Sequence, residues 1–152
     1  MQLVLFTIGY EKARQADLVA ALQAAGVATL IDVRDRPISR RPGFSKMQLA
    51  AALEDAGIRY VGLRALGTPP EGREANHKRQ WERFWSIVDA KLATAEAEHA
   101  LYEAASIVSA SPSCLLCYCG NPHTCHRSRI ADILAARYGF AIRHLEIHGV
   151  TV

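Results

Sequence analysis

Cys114-Leu-Leu-Cys-Tyr-Cys-Gly-Asn-Pro-His-Thr-Cys-His-Arg127 sets a strand, a turn and a helix start end to end. The run Cys114–Tyr118 is apolar and short, as a buried strand is. Gly120-Asn-Pro122 breaks it, and Thr124 is placed to cap a helix carrying Ile130, Leu134 and Tyr138. Gly139 stops that helix, and Ile142–Ile147 reads as the next strand. A strand that feeds a helix and then another strand is a βαβ unit, whose strands run parallel in one sheet.

The same alternation extends back to the first residues. Leu3–Ile8 is the first strand, and a helix over about Ala16–Ala25 follows, with Leu18, Val19 and Leu22 on one face and Gly26 as its stop. Thr29–Val33 is the second strand. An irregular stretch, Arg34–Phe44, leads to Ser45, where Ser45 and Gln48 have capping-box spacing and Phe44 and Leu49 the spacing of a hydrophobic staple. That helix ends at Gly57, and Ile58–Val61 is the third strand. A loop over about Leu63–Glu74 precedes a long helix over residues 77–93, on which Trp81, Phe84, Trp85, Val88 and Leu92 recur at helical spacing. An alanine-rich helix covers Glu96–Ala110. The expected fold is a single three-layer α/β domain over residues 1–152, with a mostly parallel five-stranded sheet and helices on both faces.

The composition suits that reading. With 152 residues, 50% of them apolar and 22% charged, the chain can bury a core without disulfides or metal. No apolar run is long enough to cross a bilayer. Leu3–Ile8 is not preceded by basic residues and ends at Gly9, so it reads as a strand and not as an export signal. A net charge of +3 is too small by itself to mark a nucleic-acid binder. All four cysteines lie between positions 114 and 125. Clustered thiols without an export signal point to a reducing compartment, and the expected location is the cytoplasm.

Parallel sheets bind ligands outside the carboxyl ends of their strands. Gly9 and Tyr10, then Asp32 to Arg34, then Leu63–Gly67, and finally Cys117 to His126 follow successive strands, so all are expected at one edge. Arg34, Arg36, Arg40, Arg41 and Lys46 accompany a single acid, Asp35, in the loop after the second strand. Guanidinium forks suit phosphate and carboxylate, and an anion-binding loop is set against a merely solvated one. Asp32 is a candidate general base, a ligand for a hydroxyl, or an ion-pair partner of a nearby arginine.

Three readings compete for the cysteines. Structural zinc on Cys114 and Cys117 conflicts with strand geometry, because residues three apart face opposite sides of a sheet; Cys117, Cys119, Cys125 and a histidine remain as an alternative set. No metal and no cofactor is assigned from the sequence. A reactive thiol is the second reading: Cys125, expected as the first residue inside the helix, sits where unpaired N–H groups lower a thiol pKa. No cysteine is followed six residues later by arginine, which excludes a phosphatase-type loop. In the third reading the helix start, with His126, Arg127 and Arg129, cradles an anion. Cys114 is expected to be a small buried hydrophobe.

Thr7-Ile-Gly-Tyr10, Asp32-Val-Arg34, Ser39-Arg-Arg-Pro-Gly-Phe-Ser-Lys46, Gly57-Ile-Arg-Tyr60, Leu66-Gly67, Leu115-Leu-Cys117 and Cys125-His-Arg127 occur in that order. As a set, spanning nearly the whole chain, they resemble the domain of unknown function 488 family. The resemblance implies a small bacterial or archaeal α/β protein and supplies no reaction. It also implies glutamate two residues after the fourth-strand cysteine in many members, where this chain has Cys119.

The resulting expectation is a binder of, or an enzyme acting on, a small anionic or phosphorylated ligand, nucleotides included. Asp32, Cys117 and Cys125 are the candidate catalytic groups, and Gly9, Tyr10, Arg34, Arg40, Arg41, Lys46, His126 and Arg127 the candidate ligand contacts. Alternatives are a nucleic-acid-associated protein using the Arg34–Lys46 loop and a cysteine-based metal or redox module.

Overall fold

The computed structural model describes residues 2–148. The expected domain limits of 1–152 therefore include residue 1 and residues 149–152, which lie outside the described residues. The elements run β1 (Val4–Gly9), α1 (Gln15–Ala24), β2 (Thr29–Asp32), α2 (Lys46–Asp55), β3 (Arg59–Gly62), α3 (Pro70–His77), α4 (Trp81–Leu92), α5 (Ala95–Ala110), β4 (Ser113–Cys117), α6 (His126–Tyr138) and β5 (Ala141–His144). The five strands form one sheet in the order β3-β2-β4-β1-β5, and every pairing is parallel.

Handedness explains the layers. The path β1-α1-β2-α2-β3 steps toward one edge of the sheet, whereas β4-α6-β5 steps toward the other. Right-handed crossovers running in opposite directions place their helices on opposite faces. Accordingly, Leu18 and Leu22 of α1 and Leu49 and Leu53 of α2 pack with Ile8, Leu30, Cys114 and Leu116. Val88 of α4, Leu101 of α5, and Ile130 and Leu134 of α6 pack on the other face with Leu5, Ile31, Leu115 and Cys117. Cys114 and Cys117 thus face opposite sides, as the strand period requires.

Several boundaries differ from expectation. The helix expected over residues 77–93 is α4, starting only at Trp81, and the loop expected over about Leu63–Glu74 holds most of a further helix, α3, which ends before a bend where Arg79 has φ 56°. Pro70 occupies the first turn of α3, where its missing N–H costs nothing. Ser45 is the N-cap of α2 but does not close a capping box. Its hydroxyl donates to the Ser39 carbonyl (3.2 Å) and accepts from the Ser39 N–H (3.0 Å) instead, bracing the arginine loop. Pro122–Thr124 form a short 3-10 turn, so Cys125, not Thr124, is the N-cap of α6 and His126 its first residue. β5 ends at His144, short of Ile147.

Gly9, at the end of β1, packs directly on the loop after β4. A Cβ there would lie 1.8 Å from the Cys119 carbonyl oxygen, which is backbone and cannot swing aside. Gly9, expected among the ligand contacts, does not line the cleft at the carboxyl end of β4. Gly9→Ala is expected to lower stability by about 1–3 kcal/mol, the usual range for overpacking; a urea unfolding midpoint equal to that of the unsubstituted protein would refute the assignment.

Candidate functional site

β4 sits between β1 and β2, with Gly9 opposite Cys117 and Asp32 opposite Leu116. Its crossover leaves on one face while those of both neighbours leave on the other. The carboxyl end of β4 is therefore the place where the chain diverges and a crevice must open. A cleft of about 640 Å³ occupies that position. Arg34, Arg36 and Arg40 line it from the loop after β2, Thr68, Arg73 and Asn76 from the segment entering and forming α3, and Cys117, Cys119, Cys125 and His126 from the end of β4 to the start of α6.

The floor is a cluster of sulfur and imidazole. His126 Nδ1 lies 3.5 Å from Cys117 Sγ and 3.8 Å from Cys125 Sγ. On the other side of the ring, Nε2 donates to the Val33 carbonyl at 2.8 Å. A carbonyl can only accept, so Nε2 carries a proton and Nδ1 is the atom presented to the two sulfurs. Burial opposes a charged imidazole, yet the charges and hydrogen bonds of Cys117 and Cys125 hold the His126 pKa well above its ordinary value. Burial likewise opposes a thiolate at Cys125, and hydrogen bonds from Cys117, Cys119 and His126 outweigh it, holding that thiol well below the usual range. Cys119 keeps its proton: hydrogen bonds to Cys117 and Cys125, then burial, push its pKa up. Cys114 stands apart, buried on the opposite face with its pKa raised by burial.

Asp32 and Arg34 form a buried ion pair behind the arginine wall. Arg34 Nε and Nη2 grip the two carboxylate oxygens at 2.8 and 2.7 Å, and Asp32 also accepts from the Arg34 N–H (3.1 Å) and the Tyr60 hydroxyl (2.6 Å). Arg34 Nη1 donates to the Tyr10 hydroxyl (3.1 Å) and to the Phe44 carbonyl (2.7 Å). Burial pulls the Arg34 pKa down, but Asp32 and Tyr10 more than reverse it. Burial and the Asp32 carboxylate both raise that of Tyr60. Asp32 is 1% exposed, does not line the cleft and has four donors. Its geometry is that of a structural counter-ion, the third of the roles weighed for it. Tyr10 lines the cleft, stacked on Phe44 at 4.4 Å between ring centroids.

The other expected contacts separate. Arg40 is exposed at the cleft wall, whereas Arg41 turns its Nε to the Ala13 carbonyl and Lys46 is exposed at the start of α2, and neither lines the cleft. Arg127, expected to touch the anion, is 1% exposed and points inward. It donates to the Cys119 carbonyl and to Thr7 Oγ1 (3.2 Å), and Thr7 in turn meets His144 Nδ1 at 2.6 Å. Arg127 has no carboxylate partner among the described residues, so its charge is a fixed positive centre behind the cysteine loop. Arg129 leaves the site altogether, pairing with Asp89 and lying over the Trp85 ring.

Arg36 was named only as part of the basic loop, and Arg73, Thr68 and Asn76 were not singled out by sequence. Arg73 pairs with Asp35 at 2.8 Å and also donates to the Thr68 carbonyl (2.9 Å). Thr68 is 6% exposed, and its hydroxyl is the one buried side-chain polar atom without a hydrogen-bond partner among the described residues. Pro70 was the available signal that a helix, and so an ordered wall, begins here.

The family comparison agrees with the ordered motifs. The sequence model for the domain of unknown function DUF488 matches residues 14–134. The chain belongs to the DUF488 family. No curated protein and no solved structure matches it. No helix among the described residues is long and apolar enough to cross a membrane.

Removing one partner of a buried pair strands the other charge, at a cost of about 3–5 kcal/mol. Asp32→Ala is expected to lose that much in urea unfolding, and Asp32→Asn less because it still accepts hydrogen bonds. A loss below about 1 kcal/mol for Asp32→Ala would show that the pair is not what holds this corner.

Proposed function

We propose that this DUF488 protein binds a small anionic ligand bearing phosphate or carboxylate, nucleotides included, in the cleft at the end of β4, and acts on it at the sulfur–imidazole floor. The observation that carries this reading is the charge of the walls. Arg36 and Arg40 extend exposed into the cleft lining without an ion-pair partner among the described residues, and Arg73 stands opposite with Asp35 as the only acid. Behind the floor, Arg127 adds a buried positive charge that bulk water does not screen. The partnerless Thr68 hydroxyl offers a ready donor to a ligand oxygen.

Cys117 and Cys125 with His126 are the groups that would meet the ligand. Asp32 is left out of the chemistry because its oxygens are already engaged. The Arg34–Lys46 loop gives weaker support to nucleic-acid binding, since Arg34 is buried and Arg41 points inward. Free thiols in such a cluster fit the reducing cytoplasm.

Calorimetric titration with inorganic phosphate and with adenosine monophosphate tests the reading. Arg36→Ala combined with Arg40→Ala is expected to weaken binding by about tenfold or more, as lost charge-assisted hydrogen bonds do. Heat absent for both probes, or affinity unchanged in the double variant, would overturn it.

A further inference from the structure

We infer that Cys117, Cys125 and His126 hold a zinc ion, with the fourth coordination position open to the cleft. This goes beyond anion binding and does not depend on it. The three donor atoms lie within 4.8 Å of one another and all three residues are buried. In a tetrahedral site with Zn–S about 2.3 Å and Zn–N about 2.0–2.1 Å, sulfur and nitrogen at neighbouring corners are about 3.5 Å apart. The two sulfur–nitrogen separations here, 3.5 and 3.8 Å, match such edges without rearrangement.

The surroundings point the same way. Metal-bound histidines usually donate their second ring nitrogen to a carbonyl or carboxylate, which fixes the tautomer and aims the ligating atom. His126 does so to Val33, so Nδ1 is fixed toward the two sulfurs. The donors come from the end of β4 and the start of α6, both set by the sheet, so the site is formed before any ion arrives. Two thiolates and a neutral imidazole balance the charge of a divalent cation, so the occupied cluster would add no net positive charge beside buried Arg127. Two thiolates and one imidazole also form a soft donor set, suited to zinc and not to magnesium or calcium.

Cys119 decides the class of the site. It is half-buried and lines the cleft, but it lies outside the compact donor set. The fourth position is therefore left to water or to a ligand in the cleft, as in catalytic zinc sites. An ion there would polarise an oxygen of the anion held by the arginine wall, and this clause alone rests on the function proposed above. Cys114 cannot take part, because it lies on the opposite face of the sheet.

Cobalt substitution tests the assignment. The reduced full-length protein, stripped of metal and titrated with Co²⁺, is expected to show a sulfur-to-cobalt charge-transfer band and the intense visible bands of tetrahedral geometry. These should saturate at one ion per chain and disappear when Zn²⁺ is added. Cys117→Ser and Cys125→Ser, with folding checked by circular dichroism, are expected to weaken Zn²⁺ binding by more than about 100-fold, beyond what loss of a supporting hydrogen bond costs. Cys114→Ser and Cys119→Ser should keep one tetrahedral ion, as should Arg36→Ala combined with Arg40→Ala, which separates this site from the anion site. Absence of the charge-transfer band in the unsubstituted protein would overturn the metal site. Loss of the ion in Cys119→Ser would overturn the open position.

Discussion

β4 is hydrogen-bonded in parallel on both sides, and this pairing fixes everything at the functional edge. Parallel register holds the ends of β1, β2 and β4 level, so Gly9, Asp32 and Cys117 arrive together. Since β4 hands its chain to the opposite face from its neighbours, the cleft opens beside buried Cys117. The crevice is a consequence of topology, and the side chains that line it come from loops and helices far apart in sequence.

Charge is distributed across this corner by burial. Arg34 is buried with a carboxylate, a bidentate grip and two neutral acceptors, so its charge is compensated and its function is to tie β2 to Tyr10 and Phe44. Arg127 is buried with neutral acceptors only, so its field remains. Arg36 and Arg40 are exposed at the cleft and without an ion-pair partner among the described residues. Four arginines of similar appearance in the sequence thus have three different physical situations, and only the uncompensated ones can favour an anion.

The sulfur cluster depends on one further hydrogen bond. Without the Val33 carbonyl on Nε2, the His126 ring could present either nitrogen to Cys117 and Cys125. That carbonyl belongs to the residue just past β2, while the cysteines come from β4 and the cap of α6. Sheet order is therefore transmitted directly into the tautomer of an imidazole.

Local pattern was enough for the elements and their class. Alternating apolar runs and helical periodicities, with Gly26, Gly57 and Gly139 as stops, determined a parallel α/β sheet, and the two-residue period of strands determined that Cys114 and Cys117 face apart. The family was legible in the ordered motifs, and so was the edge at which the unusual residues meet. What the sequence could not say is which way each polar side chain turns. Arg34 and Arg40 sit in the same loop, yet one is buried against Asp32 and the other is exposed at the cleft wall. Arg127 was read as facing a ligand and instead reaches Thr7, 120 residues earlier. Strand order, and with it the acceptors that meet Arg127 Nε and His126 Nε2, is decided by long-range packing, whose energy belongs to pairs of residues that no local window contains.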